Sequence, residues 1–122
     1  MAAPNIVNVT SIFGKTMGAD LGTTVTTDIL TCAANKVLKV NTIIVSNIDG
    51  SNNTDATVYF YDSSAAARYA LASTVTVPAD SSLVIVGKDN PIYLEESDQI
   101  EGGASEANDL QIIISYEEID DA

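Results

Sequence analysis

Four sets of residues have types and spacings that could do chemistry. The densest is acidic, with Glu95, Glu96, Asp98 and Glu101 in one short stretch. Paired carboxylates are the machinery of glycoside hydrolysis. That chemistry needs one member in an apolar pocket where its pKa rises, and these four sit among polar residues, so a solvated turn is the expectation. The second set is Asp49, Ser51, Asn53 and Asp55, oxygen ligands at alternate positions as in a calcium loop. The EF-hand pattern requires glycine at the sixth position and a bidentate glutamate at the twelfth. Here Gly50 is second and Phe60 stands at the twelfth position from Asp49. A plain hairpin loop fits better.

Cys32 is the third candidate and the single cysteine, so an internal disulfide is excluded. A nucleophilic thiol wants a histidine partner, and the chain has no histidine. Cys32 therefore reads as a small buried apolar side chain. Last come Tyr59 and Tyr61, two apart on one strand, which could stack a sugar ring. Cross-strand packing or a subunit contact accounts for them equally. The sequence holds no Ser/His/Asp set, no Gly-rich phosphate loop and no Cys/His metal spacing. The expectation is a protein without catalytic residues, cofactor or metal.

The elements that would position these residues are strands. Period-two patterning recurs with turn signals between segments, and no stretch holds a helical period. The first strand is expected over residues 6–13. A threonine-rich run with Leu21, Val25 and Ile29 favours extended structure. Residues 36–48 form the strongest candidate, followed by a turn over residues 49–55. Strands are then expected over 56–62, 68–77, 83–86, 92–94 continuing toward 100, and 110–119. In the last, Leu110, Ile112, Ile114 and Tyr116 face in while Gln111, Ser115 and Glu117 face out. A single helical turn over residues 63–68 is the one exception. About eight strands with no helix to cover them must bury their apolar faces against each other. The fold class is all-β: one β-sandwich domain over 1–122, jelly-roll-like, with an extended N-terminal arm over residues 1–13 as an option.

Charge narrows the partners. The chain has 122 residues, 17 acidic and 5 basic side chains, and a net charge of −12. Such a field repels phosphate backbones, so neither nucleic acid nor an anionic membrane surface is an expected partner. The longest apolar runs are far too short to cross a bilayer. The opening Met-Ala-Ala-Pro-Asn has neither a basic nor an apolar signal region, and no secretion signal is expected. The triplets Asn8-Val9-Thr10 and Asn52-Asn53-Thr54 therefore carry no weight as glycosylation sites.

Two segments, 36–48 and 83–86, carry apolar residues on both parities, whereas a sandwich normally wets its outer face. Either loops cover these strands or a second subunit does. On the second reading Ile43 and Val45 lie in an interface. Ile6, Val7, Val9, Ile12 and Phe13 are likewise apolar on both parities and could add a strand to a neighbour. With Tyr59 and Tyr61 they complete the candidate interface.

Three passages carry a resemblance: Val75-Thr76-Val77-Pro78-Ala79-Asp80-Ser81-Ser82-Leu83-Val84-Ile85, Pro91-Ile92-Tyr93-Leu94-Glu95-Glu96-Ser97-Asp98-Gln99-Ile100, and Ile112-Ile113-Ile114-Ser115-Tyr116-Glu117-Glu118-Ile119. The opening Ala3-Pro4-Asn5-Ile6-Val7-Asn8-Val9-Thr10-Ser11-Ile12 and the middle Val45-Ser46-Asn47-Ile48-Asp49-Gly50 agree with them. The chain resembles the small β-sandwich virion structural proteins of tailed bacteriophages, particularly those of cyanobacterial and other marine phages. Relatives of that kind often carry a Gly-Asp corner where this chain has Ser97-Asp98. The resemblance implies a capsid decoration or cement protein, often a trimer, made in the host cytoplasm and placed on the capsid exterior. Its partner would be the major capsid protein. The alternative it leaves open is a neck, tail or fibre component that recognises a host glycan.

Overall fold

The computed structural model describes residues 11–120, which form nine strands and no helix. They are β1 (Ile12–Asp20), β2 (Asp28–Thr31), β3 (Lys36–Asn47), β4 (Thr54–Asp62), β5 (Ala67–Val77), β6 (Ser82–Val86), β7 (Ile92–Leu94), β8 (Gln99–Ala104) and β9 (Leu110–Asp120). One sheet has the order β1-β9-β3-β6, with β7 also on β3; the other is β2-β8-β4-β5. All pairings are antiparallel. β9 takes one edge of β3, while β6 and β7 share the other end to end. Counting β6 and β7 as one interrupted strand, the chain crosses between sheets at every connection except the β4–β5 hairpin. That is the strand order of a jelly roll, the architecture expected from the number of strands.

The core lies between the sheets. Leu38, Val40, Ile43, Val45, Leu110, Ile112 and Ile114 come from the first sheet, and Ala56, Val58, Ile100 and Ala104 from the second. β9 keeps the alternation read from its sequence, with Leu110, Ile112 and Ile114 fully buried and Tyr116 partly so.

β3 does not alternate, for a definite reason. Val40 lies opposite Tyr116 and Thr42 opposite Ser115, so Asn41 is an extra residue, a β-bulge. Before the bulge Leu38 and Val40 face the core; after it Ile43 and Val45 do. A second irregularity puts Ile43 opposite Val86 and Ile44 opposite Val84, leaving Ile85 unpaired on β6. Both-parity apolarity thus arises from bulges. The expectation that Ile43 and Val45 form an interface is corrected: both have zero exposure and belong to the core.

Three further expectations change. The first described strand begins at Ile12 and runs to Asp20, paired along β9 of its own chain. Ile12 and Phe13 are therefore part of the sandwich and not of an exchanged arm; Ile6, Val7 and Val9 lie outside the described residues. Residues 63–66 make a hydrogen-bonded turn, Ala66 N to Ser63 O at 3.2 Å, where one turn of helix was expected. The threonine-rich run is mostly loop, with strand only over Asp28–Thr31.

That loop is held against β8. Gly102 donates to Thr27 O at 3.0 Å and Ala104 to Gly22 O at 2.8 Å. At Gly103 an added Cβ would lie 2.7 Å from Thr24 O and from Val25 Cα, both backbone atoms. Only glycine lets the second backbone lie so close. Replacing Gly103→Ala should destabilise the fold by about 1–3 kcal/mol, the usual range for overpacking. Urea unfolding of the variant beside the parent chain measures it.

The corner that departs from the resembled pattern is also explained locally. Ser97 has φ 70°, a left-handed conformation that glycine adopts freely. Ser97→Gly relieves that strain but frees the unfolded chain. A net gain of up to about 1 kcal/mol is expected, read as a rise in thermal midpoint.

Candidate functional site

The acidic stretch is taken apart by the fold. Asp98 is buried, its Oδ1 accepting from Ser63 N at 2.9 Å and its Oδ2 from Glu95 N at 3.0 Å. Its carbonyl accepts from Cys32 N at 3.0 Å. One residue, through its carboxylate and its backbone carbonyl, therefore joins the β4–β5 turn, the end of β2 and the β7–β8 turn. Glu101 lies on the outer side of the second sheet, opposite Tyr59, and is almost wholly buried. Arg68 Nε donates to Glu101 Oε1 at 2.8 Å and Nη2 to Oε2 at 3.4 Å. The bond to Glu101 holds the Arg68 pKa above its ordinary value. Asp98 and Glu101 are thus occupied as connectors, and neither is free as half of a hydrolytic pair.

The loop after β3 holds its own oxygens in the same way. Asp49 Oδ1 accepts from Ser51 N at 2.8 Å and Asn52 N at 3.2 Å, which lowers the Asp49 pKa, Ser51 contributing most. Asn53 Oδ1 accepts from Ala79 N, and Asp55 Oδ1 from Thr76 Oγ1 at 2.8 Å. The side chains of Asp49, Asn53 and Asp55 therefore point to different partners. Asp49, Asn52, Asn53, Glu106 and Asp109 do line a polar hollow of ≈ 430 Å³. Among the described residues no group of three or more His, Cys, Asp or Glu could hold a metal ion.

Tyr59 and Tyr61 are half-buried on β4. The Arg68 guanidinium sits 5.4 Å from the Tyr61 ring centroid, a cation–π contact that already uses this ring. A more open aromatic feature, not singled out by the sequence, lies between β5 and β7. Phe60, Tyr69, Ala70, Leu71, Ile92 and Tyr93 line a hollow of ≈ 170 Å³. Tyr69 is 57% and Tyr93 46% exposed. The two tyrosines stand on separate strands with no shared periodicity, so only the tertiary fold brings them together.

Cys32 is buried, its Sγ–H donating to Lys36 O at 3.2 Å. Burial pushes its pKa from the ordinary 9.0 to about 11. A raised pKa means the neutral thiol is favoured in the fold, so its contribution to stability is intact below about 9 and lost as pH rises through about 11. Cys32→Ala should therefore flatten the alkaline limb of a stability–pH curve over that window. In the native parent at neutral pH, a thiol reagent should react far more slowly than with the unfolded chain.

With these side chains held by the fold, the candidate site is a surface. Outward from the first sheet stand Ile113, 43% exposed, and Val84, 61% exposed, with half-buried Ile44 between them. Ile12 and Phe13 are exposed on β1, which is the edge strand of this sheet among the described residues. The surface residue on β3 is thus Ile44, where sequence parity pointed to its neighbours Ile43 and Val45. No protein-family model, no curated protein and no solved structure matches the chain.

Proposed function

We propose that the chain is a non-enzymatic virion structural protein that binds the outside of an assembled phage head and stabilises it. The observation that carries this reading is the fate of the reactive-looking side chains. Asp98, Glu101 and Asp49 are tied into the fold by hydrogen bonds, and Cys32 is a buried thiol. A compact sandwich whose polar chemistry is spent on its own turns has its surfaces left to work with. The resemblance to phage decoration proteins supplies the setting. A subunit that binds only the assembled shell shifts the equilibrium toward intact particles by mass action. The charge of −12 suits the exterior better than a DNA-lined interior, where phosphate would repel it.

The second reading is a neck, tail or fibre component that binds host glycan, favoured by the hollow between Tyr69 and Tyr93. Aromatic faces with an adjacent polar edge suit a sugar ring. Copy number separates the two. Densitometry of purified virions should give a stoichiometry near that of the major capsid protein, and heads stripped of the chain should open at lower temperature. A handful of copies per particle, or glycan binding lost in Tyr69→Ala, would transfer the case to the second reading.

A further inference from the structure

One patch of the outer face of the first sheet, between its charged Glu117–Lys39 row and the strand ends, differs in composition from the rest of the molecule. Because its strands are in register, the side chains form rows across it. The middle row is Gly18, Ile113, Ile44 and Val84. On one side lie Thr16, Ser115 and Thr42; on the other, Asp20, Gln111, Ser46 and Ser82. Asp20, at a corner, is the single charged residue among them, on a chain whose net charge is −12. The polar members are already paired with each other. Thr16 and Ser115 hydroxyls are 3.1 Å apart, those of Ser46 and Ser82 are 3.0 Å apart, and Gln111 Nε2 donates to Asp20 Oδ1 at 3.0 Å. Covering this face would therefore strand few polar groups. It has the arrangement of an interface: apolar in the middle, polar at the rim.

We propose that two copies of this chain pair through this face, sheet against sheet, about a two-fold axis. Charge selects the occupant. With a single carboxylate, at its corner, this patch offers little to a basic partner, which would be drawn instead to the carboxylates of the loops. For a second copy the preference is reversed, because other approaches set carboxylate against carboxylate. A two-fold pair is isologous, so the nearly uncharged patch meets itself. Shape agrees with charge. Gly18 has no side chain, and beside it a hollow of ≈ 390 Å³ is bordered by Ala19, Asp20, Gln111 and Ile113. With the axis parallel to the strands, the Gly18 end of one row lies over the Val84 end of the other. The most exposed apolar side chain of each copy then enters the hollow of its mate. Four strands about 4.8 Å apart and five residues of about 3.4 Å make a face of roughly 300 Å². That is less than the ~800 Å² per partner of a standard interface, so the pair is weak and depends on concentration. It closes at two copies, not the three that the phage resemblance implies, and it stands whether or not the chain binds a capsid.

Sedimentation equilibrium of the full chain from about 10 μM to about 1 mM tests it, the range in which a small interface associates. The mass should climb from 12.8 kDa toward twice that value. Val84→Glu would set two carboxylates into the seam, and Gly18→Val would fill the hollow; each should weaken pairing at least tenfold. Both should fold, since Val84 is exposed and a Cβ at Gly18 meets only Ile112 O, at 3.7 Å. Circular dichroism verifies this. Tyr69→Ser, on the aromatic hollow, should pair like the parent. A chain still monomeric at the top concentration, a trimeric mass, pairing unchanged in both face variants, or pairing lost in Tyr69→Ser would each overturn the proposal.

Discussion

The ladder between β3 and β9, from Lys36 opposite Asp120 to Asn47 opposite Leu110, is the constraint on which both layers depend. These are the two inner strands of the first sheet, and between them they supply most of its inward side chains. An antiparallel ladder repeats every two residues, so its phase decides which face every side chain joins. Asn41 changes that phase once. Were Asn41 paired in regular alternation instead of bulged, Thr42 and Ile44 would turn inward and Ile43 and Val45 would meet solvent. The bulge is itself tied across the ladder, Asn41 Nδ2 donating to Glu117 Oε2 at 3.0 Å.

This explains what could be read from the sequence. β9 carries no extra residue, so simple alternation identifies its inward face and very nearly its ends. β3 was recognisable as a strand but not in its facing, because nothing in Val40-Asn41-Thr42 announces a bulge. The loop over 22–27 was hidden for another reason. Its threonines favour extended structure, but its path is set by Gly102 and Gly103, distant in sequence, which let it lie against β8. The Asp49 turn was legible because its bonds are local: the aspartate accepts from residues two and three positions on. The Asp98 connector was not, since Ser63 lies in a different hairpin.

Polar residues in this sandwich hold connections together more than they offer chemistry. Asn47 is buried, donating to Asn52 O and Val77 O at 2.9 Å each and accepting from Asp49 N at 2.9 Å. Thr54 Oγ1 donates to Asp109 Oδ2 at 2.8 Å. Among the described residues no buried side-chain nitrogen or oxygen lacks a partner. A buried group left unpaired costs more than a made bond contributes, so each of these residues fixes one loop conformation. Acidic side chains are suited to that work because each carboxylate accepts several backbone N–H bonds at once. The same choice concentrates negative charge at the loops and strand ends.

The apolar row on the outer face then follows from the same geometry as the core. On one edge of β3 the bulge at Asn41 turns Ile44 outward beside Ile113. On the other edge Val84 lies outward opposite Ile44 in regular register, and the unpaired Ile85 turns Val86 inward. Through these irregularities each strand places apolar side chains on both sides, Ile44 and Val84 in the row and Ile43 and Val86 in the core. Pairing Asn41 in strict alternation would exchange Ile43 for Ile44 in the core, and pairing Ile85 likewise would turn Val86 out of it. The packing of the interior and the character of this face are therefore coupled through the phase of the ladder. Variation that preserves the core will tend to preserve the row.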